Sequence, residues 1–164
     1  MKNLILAILF LFSGVVFTQN SIDKLLIKHN KESVPYISTD SLSAIQNHTI
    51  ILDAREQNEY NISHLKNVIY VGYNYFNLET ITPLIPKKTS EIVVYCSLGI
   101  RSEDVAENLK KAGYLNVKNL YGGIFEWKNN NLPIYNLKNT ETDSIHAYSK
   151  PWSKWLKNGI KIYE

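Results

Sequence analysis

The only cysteine of the chain, Cys96, is followed by Ser97, Leu98, Gly99, Ile100 and Arg101, and this run has the residue types and spacing to do chemistry. A thiol is a weak nucleophile until it ionises, and backbone N–H groups, a helix N-terminus or a nearby cation bring that ionisation towards neutral pH. Gly99 can adopt backbone angles closed to other residues, so the run can curl with successive N–H groups aimed at the sulfur. The helix expected beyond it adds N–H donors and the positive end of its dipole. Arg101 adds a full positive charge. Together these predict a Cys96 pKa below the free-thiol value of about 8.5. The same ring of donors would hold an anionic persulfide. A lone cysteine at a strand end can also be a small buried hydrophobe. Gly99 and Arg101 ahead of an amphipathic helix favour the functional reading.

The flanking elements must place this run at the mouth of a sheet. Ile92, Val93, Val94 and Tyr95 form an apolar run that reads as a buried strand ending at Cys96. Residues 101–112 have helical spacing, with Val105, Leu109 and Ala112 on one side, Glu103, Asp104, Glu107, Lys110 and Lys111 elsewhere, and Gly113 at the C-cap. Upstream, residues 21–29 form a short helix with Ile22, Leu25 and Leu26 on one face, and residues 34–38 are extended. Thr39 or Asp40 caps a helix carrying Leu42, Ala44 and Ile45, and residues 49–53 read as a second buried strand. A short helix around residues 57–60 and a strand at 68–71 follow, then a less regular stretch, 74–90, broken by Pro83 and Pro86. Downstream come a strand at 116–120, a turn at Gly122 and Gly123 and a helix over 124–129. Strands alternating with helices predict an α/β fold with a parallel sheet covered on both faces. Sites in such sheets form beyond the carboxyl ends of strands, where Cys96 sits.

The chain of 164 residues, 45% hydrophobic, suits one domain with a conventional core. Its net charge of +3 comes from scattered lysines, with no run longer than Lys87-Lys88 or Lys110-Lys111, which excludes a nucleic-acid footprint. The eleven tyrosines and three tryptophans fall mostly beside aliphatic runs, as packing residues do. Residues 1–19 read as a secretory signal peptide: Lys2, an apolar run over 4–17, then polar Thr18, Gln19 and Asn20, with cleavage near Thr18 or Gln19. The run is shorter than the roughly 20 apolar residues that span a bilayer, so no stable membrane span is expected after cleavage. Export to the periplasm or beyond follows. A single cysteine forms no intramolecular disulfide, and a thiol kept in an oxidising compartment argues for a task. His29, His48 and His146 lack partners at metal-ligand spacing, so no metal is predicted, nor any organic cofactor.

In order along the chain, Leu52-Asp53-Ala54-Arg55 with Glu59-Tyr60, Ser63-His64-Leu65, Val94-Tyr95-Cys96 with Gly99 and Arg101-Ser102, residues 109–113, Tyr121-Gly122-Gly123-Ile124 with Trp127, and Leu132-Pro133 resemble the rhodanese-like domain family. The resemblance implies a compact domain over 35–135 with a five-stranded parallel sheet flanked by helices on both faces. It also implies a catalytic Cys96 in a loop whose amides bind sulfur, with Ser97, Leu98, Gly99, Ile100, Arg101 and Ser102 as substrate-binding positions. The family has a phosphatase cousin whose loop is one residue longer. Here the arginine is the sixth residue counted from Cys96, which favours sulfur. Asp53 and Arg55 look like the family's Asp-x-Arg element, a structural ion pair near the site, and His64 lies in a structural turn. Ser63 stands where the family commonly has Gly, and Lys66-Asn67 where it has Pro-Gly. The loop positions Ser97, Leu98 and Ile100 lack the extra basic residue that relatives favouring thiosulfate often carry.

The function expected is a sulfurtransferase that moves sulfane sulfur from a small anionic donor such as thiosulfate, through a Cys96 persulfide, to a thiol or cyanide acceptor. The rival is a catalytically weak binding or sensing module of the same fold. Residues 20–34 are a lead-in helix, and 136–164 are an extension beyond the usual family boundary. In that extension Pro151 can open a short helix with Trp152, Trp155 and Leu156 on one face, ended by Gly159, that packs back onto the domain.

Overall fold

The computed structural model describes residues 21–163, so the expected signal peptide lies outside the described residues. In chain order the elements are α1 (Ile22–His29), β1 (Tyr36–Ile37), α2 (Thr39–Ile45), β2 (Ile50–Asp53), α3 (Gln57–Ile62), β3 (Ile69–Tyr70), α4 (Leu78–Ile81), β4 (Glu91–Tyr95), α5 (Arg101–Lys111), β5 (Asn116–Leu120), α6 (Gly123–Asn129), β6 (Ile134–Tyr135), β7 (Glu141–Thr142), β8 (Ser144–His146) and β9 (Ile160–Ile162). Strands β1 to β5 make one five-stranded sheet in the order β1-β5-β4-β2-β3, and every pairing in it is parallel. The fold is therefore the α/β arrangement expected from the alternation of apolar runs.

Side chains alternate across a strand, so a sheet covered on both faces needs two cores. Ile51, Val93 and Tyr95 enter one with Leu42 of α2 and Ile124, Phe125 and Trp127 of α6. Leu52, Ile92 and Val94 enter the other with Val105, Ala106 and Leu109 of α5. Register sets Val93 beside Ile51 and Val94 beside Leu52, so β4 is the central strand and its end carries Cys96 into the middle of the sheet's mouth.

Four local expectations change. The cap of α2 is Ser38, whose Oγ accepts from the Ser41 N–H at 3.2 Å, because Thr39 already has helical geometry and its own hydroxyl accepts from Asn130 Nδ2. The stretch 74–90 contains α4, capped by Asn77, and a 3-10 turn at Thr82–Leu84. Glu103, assigned to the polar side of α5, is buried and accepts from the backbone N–H groups of Lys31 and Ser33. The helix expected at Pro151 is a single 3-10 turn, Ser153–Trp155, framed by the parallel pair β8–β9. Lys161 Nζ donates to the Ser153 carbonyl, and Asn129 Oδ1 accepts from Lys157 N–H and Asn158 N–H, so the backbone groups a longer helix would have used are bonded elsewhere. The extension does pack back: Ile145, Ala147 and Leu156 are buried in the core beneath α6.

Candidate active site

The run from Cys96 leaves β4 and turns back into α5, and three of its carbonyls are pinned from outside. Ile124 N–H of α6 donates to Cys96 O at 2.9 Å, and Phe125 N–H donates to Ser97 O at 3.1 Å. The carbonyl of Gly99 accepts from both Asn119 Nδ2 and Asn30 Nδ2 at 2.8 Å. In a trans peptide the carbonyl and the following N–H point in opposite directions. Holding these three carbonyls outward therefore turns the N–H groups of Ser97, Leu98 and Ile100 the other way, into the loop. Gly99 itself sits at φ 96°, the left-handed side open to glycine, and its N–H donates to Cys96 Sγ at 3.1 Å.

Close support beneath the loop depends on Gly123. Its φ is 55°, and a Cβ there would stand 2.3 Å from Cys96 O. With no side chain at that position, the first turn of α6 presses against the loop and offers its unpaired N–H groups to the loop carbonyls.

The sulfur lies at 2% residue exposure yet lines a cavity of about 120 Å³. Burial alone pushes the thiol pKa up, but the Arg101 charge, the Ser102 hydroxyl and the backbone N–H groups of Ser102 and Leu98 outweigh it and hold the pKa below the ordinary value. Ser102 Oγ lies 3.5 Å from Sγ and 2.7 Å from Asn119 Oδ1, so its single proton is shared between two acceptors, one at a time.

Arg101 directs its hydrogen bonds to neighbours of the sulfur. Its guanidinium makes a two-pronged pair with Glu59, Nη1 to Oε2 at 2.6 Å and Nη2 to Oε1 at 2.8 Å, and a further bond to Ser97 Oγ at 3.0 Å. The planar fork of a guanidinium matches a carboxylate better than it matches one spherical atom. Glu59 is buried, which alone would raise its pKa; the Arg101 pair and the Arg55 charge reverse this and bring it down to about 2. Arg101 thus acts on the sulfur through its field and through the loop it braces.

Asp53 and Arg55 are both fully buried and pair at 2.6 Å, with Arg55 also donating to Ser63 O and Tyr95 Oη donating to Asp53. They form the framework behind the loop and do not line the cavity. His64 packs flat on Tyr60, its Nδ1 2.8 Å from Leu65 O, and its backbone exchanges hydrogen bonds with Tyr135. The loop residues Ser97, Leu98, Ile100 and Arg101 line the cavity beside Cys96, whereas Gly99 and Ser102 lie behind. Four residues at or beside the site have roles the sequence leaves unassigned: Glu59, which stands above only within the family motif, and His29, Tyr148 and Trp152, which complete the cavity wall. The capping bond from Glu56 N–H to Glu59 Oε2 marks Glu59 as a helix residue only, and an aromatic cluster in the extension was the one available hint of the wall.

The model of the family described as the rhodanese-like domain matches residues 38–130. Among curated proteins, the chain is 35% identical over 92 residues to the tRNA uridine(34) hydroxylase of Aster yellows witches'-broom phytoplasma, covering 52% of this chain and 29% of that protein. It is 34% identical over 103 residues to the adenylyltransferase and sulfurtransferase uba4 of Ogataea parapolymorpha, covering 60% of this chain and 25% of that protein. The chain thus spans less than a third of the length of either curated relative. Among solved structures, the thiosulfate sulfurtransferase of Pseudomonas aeruginosa superposes with a TM-score of 0.60 at 20% identity, over 82% of this chain and 25% of that one. A rhodanese-like domain from Anabaena sp. gives 0.57 at 21%, over 63% and 80% respectively.

Proposed function

We propose, from the premise that the chain belongs to the rhodanese-like domain family, that it is a sulfurtransferase whose Cys96 carries sulfane sulfur as a persulfide. The observation that carries this reading is the sulfur itself, buried yet held in its ionisable state by Gly99 N–H, the Ser102 hydroxyl and the field of Arg101.

In the first half-reaction the Cys96 thiolate attacks the outer sulfur of a donor such as thiosulfate. The new S–S bond forms as the donor's own S–S bond breaks, and the electron pair leaves on sulfite. The persulfide anion keeps the negative charge where the loop N–H groups point. In the second half an acceptor thiolate or cyanide takes the outer sulfur, and Cys96 returns to thiolate. Two half-reactions through a covalent intermediate give ping-pong kinetics. N–H groups fixed before the reaction stabilise the charge in both halves without reorganising. Arg101 and Glu59 keep the loop closed around it.

The sulfurtransferase named among the relatives supports this reading. The hydroxylase name belongs to proteins more than three times the length matched. The apolar run over residues 4–17 supports export, so N-terminal sequencing of protein recovered outside the cytosol should begin near Thr18 or Gln19. The test of the function is intact-mass analysis after incubation with sulfane-sulfur donors that include thiosulfate. One added sulfur atom is expected on the protein and not on Cys96→Ala. Silence with every donor, beside tight binding of a partner protein, would establish the binding-module reading instead.

A further inference from the structure

The cavity over Cys96 has walls unlike its floor. The floor is the loop, with its N–H groups and sulfur. The walls are Leu98 and Ile100 from the loop, His29 from the end of α1, and Tyr148 and Trp152 from the C-terminal extension. Among the described residues that line it, Arg101 is the one formal cation, and its charge is matched by Glu59 at hydrogen-bond distance. An inorganic dianion entering this mouth meets apolar and aromatic surface and no unmatched positive charge.

The two extension residues are held there by construction. Asn129 at the end of α6 donates through Nδ2 to Trp155 O and accepts through Oδ1 from Lys157 N–H and Asn158 N–H, fastening the turn that carries Trp152. Tyr148 sits at φ 64°, a conformation bulky side chains rarely adopt, and its N–H donates to the Nδ1 of buried His146 at 3.1 Å. That turn points the Tyr148 ring over the Arg101 guanidinium, 4.9 Å from its centre, and edge-on to Trp152. Trp152 in turn packs against the His29 ring, 5.8 Å between centroids. An apolar cavity of about 150 Å³ holds a benzene ring. The 120 Å³ here is of that order.

We infer that Tyr148 and Trp152 are the specificity walls of this site, and that the donor they select carries its sulfane sulfur on an apolar organic group of about one ring in size, as an organic thiosulfonate does, in preference to inorganic thiosulfate. The inference rests on the sulfurtransferase reading and names its substrate class. The anionic sulfur of the donor meets Cys96 and the loop N–H groups while the organic group lies against the two aromatic walls. Cys96 thiolate attacks the terminal sulfur, the Cys–S bond to it forms, its bond to the sulfonyl sulfur breaks, and the pair leaves on the organic sulfinate. Two negative charges enter and two leave.

The test compares benzenethiosulfonate, methanethiosulfonate and thiosulfate side by side at one pH. The first two share a single charge and differ in apolar bulk; the third is a dianion. The expected kcat/KM falls in the order given, with benzenethiosulfonate at least tenfold above thiosulfate. Trp152→Ala and Tyr148→Ala each cut the benzenethiosulfonate value about tenfold, mainly through KM, and the thiosulfate value less than twofold. Tyr148→Phe, which keeps the ring, restores it. Tyr148 is half-exposed, so its variants fold even where loss of Trp152 disturbs packing. Equal use of thiosulfate and benzenethiosulfonate, or an equal loss with all three donors in both variants, overturns the assignment. Calorimetric binding of benzenesulfinate to the unmodified protein separates this from the sulfur-transfer reading. Binding that weakens in Tyr148→Ala while no donor transfers sulfur upholds the walls and sinks the transferase; no binding, or binding indifferent to the variant, sinks the walls.

Discussion

Replacing Glu59 by Gln tests the buried carboxylate that partners Arg101. The carboxylate accepts from Arg101 twice, from Ser97 Oγ and from Glu56 N–H, at distances of 2.6 to 3.0 Å. Its pKa moves from an ordinary 4.5 down to about 2, because the Arg101 pair and the Arg55 charge overcome the effect of burial. Each pKa unit is worth about 1.4 kcal/mol, so the ionised carboxylate contributes about 3 kcal/mol at neutral pH. Breaking a buried pair by removing one partner costs about 3–5 kcal/mol, a similar size. With a urea slope of about 1–3 kcal/mol per molar, the unfolding midpoint of Glu59→Gln should fall by about 1–3 M at neutral pH. A carboxyl whose folded pKa is depressed gives stability that is present above the unfolded value and lost as pH falls through the folded one. The gap between the two proteins should therefore be full above pH 4.5 and close progressively towards pH 2. Urea titrations followed by tryptophan fluorescence from neutral pH to about pH 3 read this directly. A gap of constant size across that range would refute the charge argument and leave only lost hydrogen-bond shape.

The behaviour of three further variants follows from the same geometry. Gly123→Ala places a Cβ 2.3 Å from Cys96 O at a φ of 55°, so the variant should lose about 3 kcal/mol or more in thermal unfolding, and thiol alkylation should lose its low-pH onset as the loop moves. Ser102→Ala removes the hydroxyl 3.5 Å from Sγ without adding bulk, so the pH profile of Cys96 alkylation should shift upward by roughly one unit or less; an unmoved profile would show that the hydroxyl does not hold the thiolate. Asp53→Asn leaves the fully buried Arg55 without its ion partner, so stability should fall by about 3–5 kcal/mol while the alkylation profile of the surviving folded protein stays in place.

What the sequence made legible follows the range of the interactions involved. The runs at β2 and β4 are mostly apolar because both faces of the sheet are buried there, whereas β5, Asn116–Leu120, is mostly polar and is legible only from its place between the helix over 101–112 and the turn at Gly122 and Gly123. The Cys96 loop was legible because its chemistry sits in six consecutive residues. The partner of Arg101 was not, since Glu59 lies 42 positions away and in its own neighbourhood reads as one more polar residue in Glu56-Gln57-Asn58-Glu59. Glu103 misled for the same reason: on the helix it falls among exposed charges, and only the return of the chain at Lys31 and Ser33 buries it. In the extension, β8 and β9 are three residues each, too short for their alternation to stand out, whereas Pro151, Trp152, Trp155 and Leu156 match a helical stripe. Long-range pairing of β8 with β9 prevailed over that local pattern.

Glu59 also bears on the chemistry of the thiol. A guanidinium left unmatched beside Cys96 would hold more of the sulfur as thiolate, but nucleophilicity falls with thiol pKa, and the best attacking thiol titrates near the ambient pH. In this site burial pushes the Cys96 pKa up while Arg101, Ser102 and the loop N–H groups bring it down. Pairing Arg101 with Glu59 keeps a charge close enough to lower the thiol pKa and spends most of its hydrogen-bonding capacity elsewhere. The pair therefore sets the reactivity of the thiol as well as the shape of its loop. Because the carboxylate stays ionised down to about pH 2, that setting does not change as Cys96 itself titrates. The sulfur and the charges around it are therefore decoupled in pH.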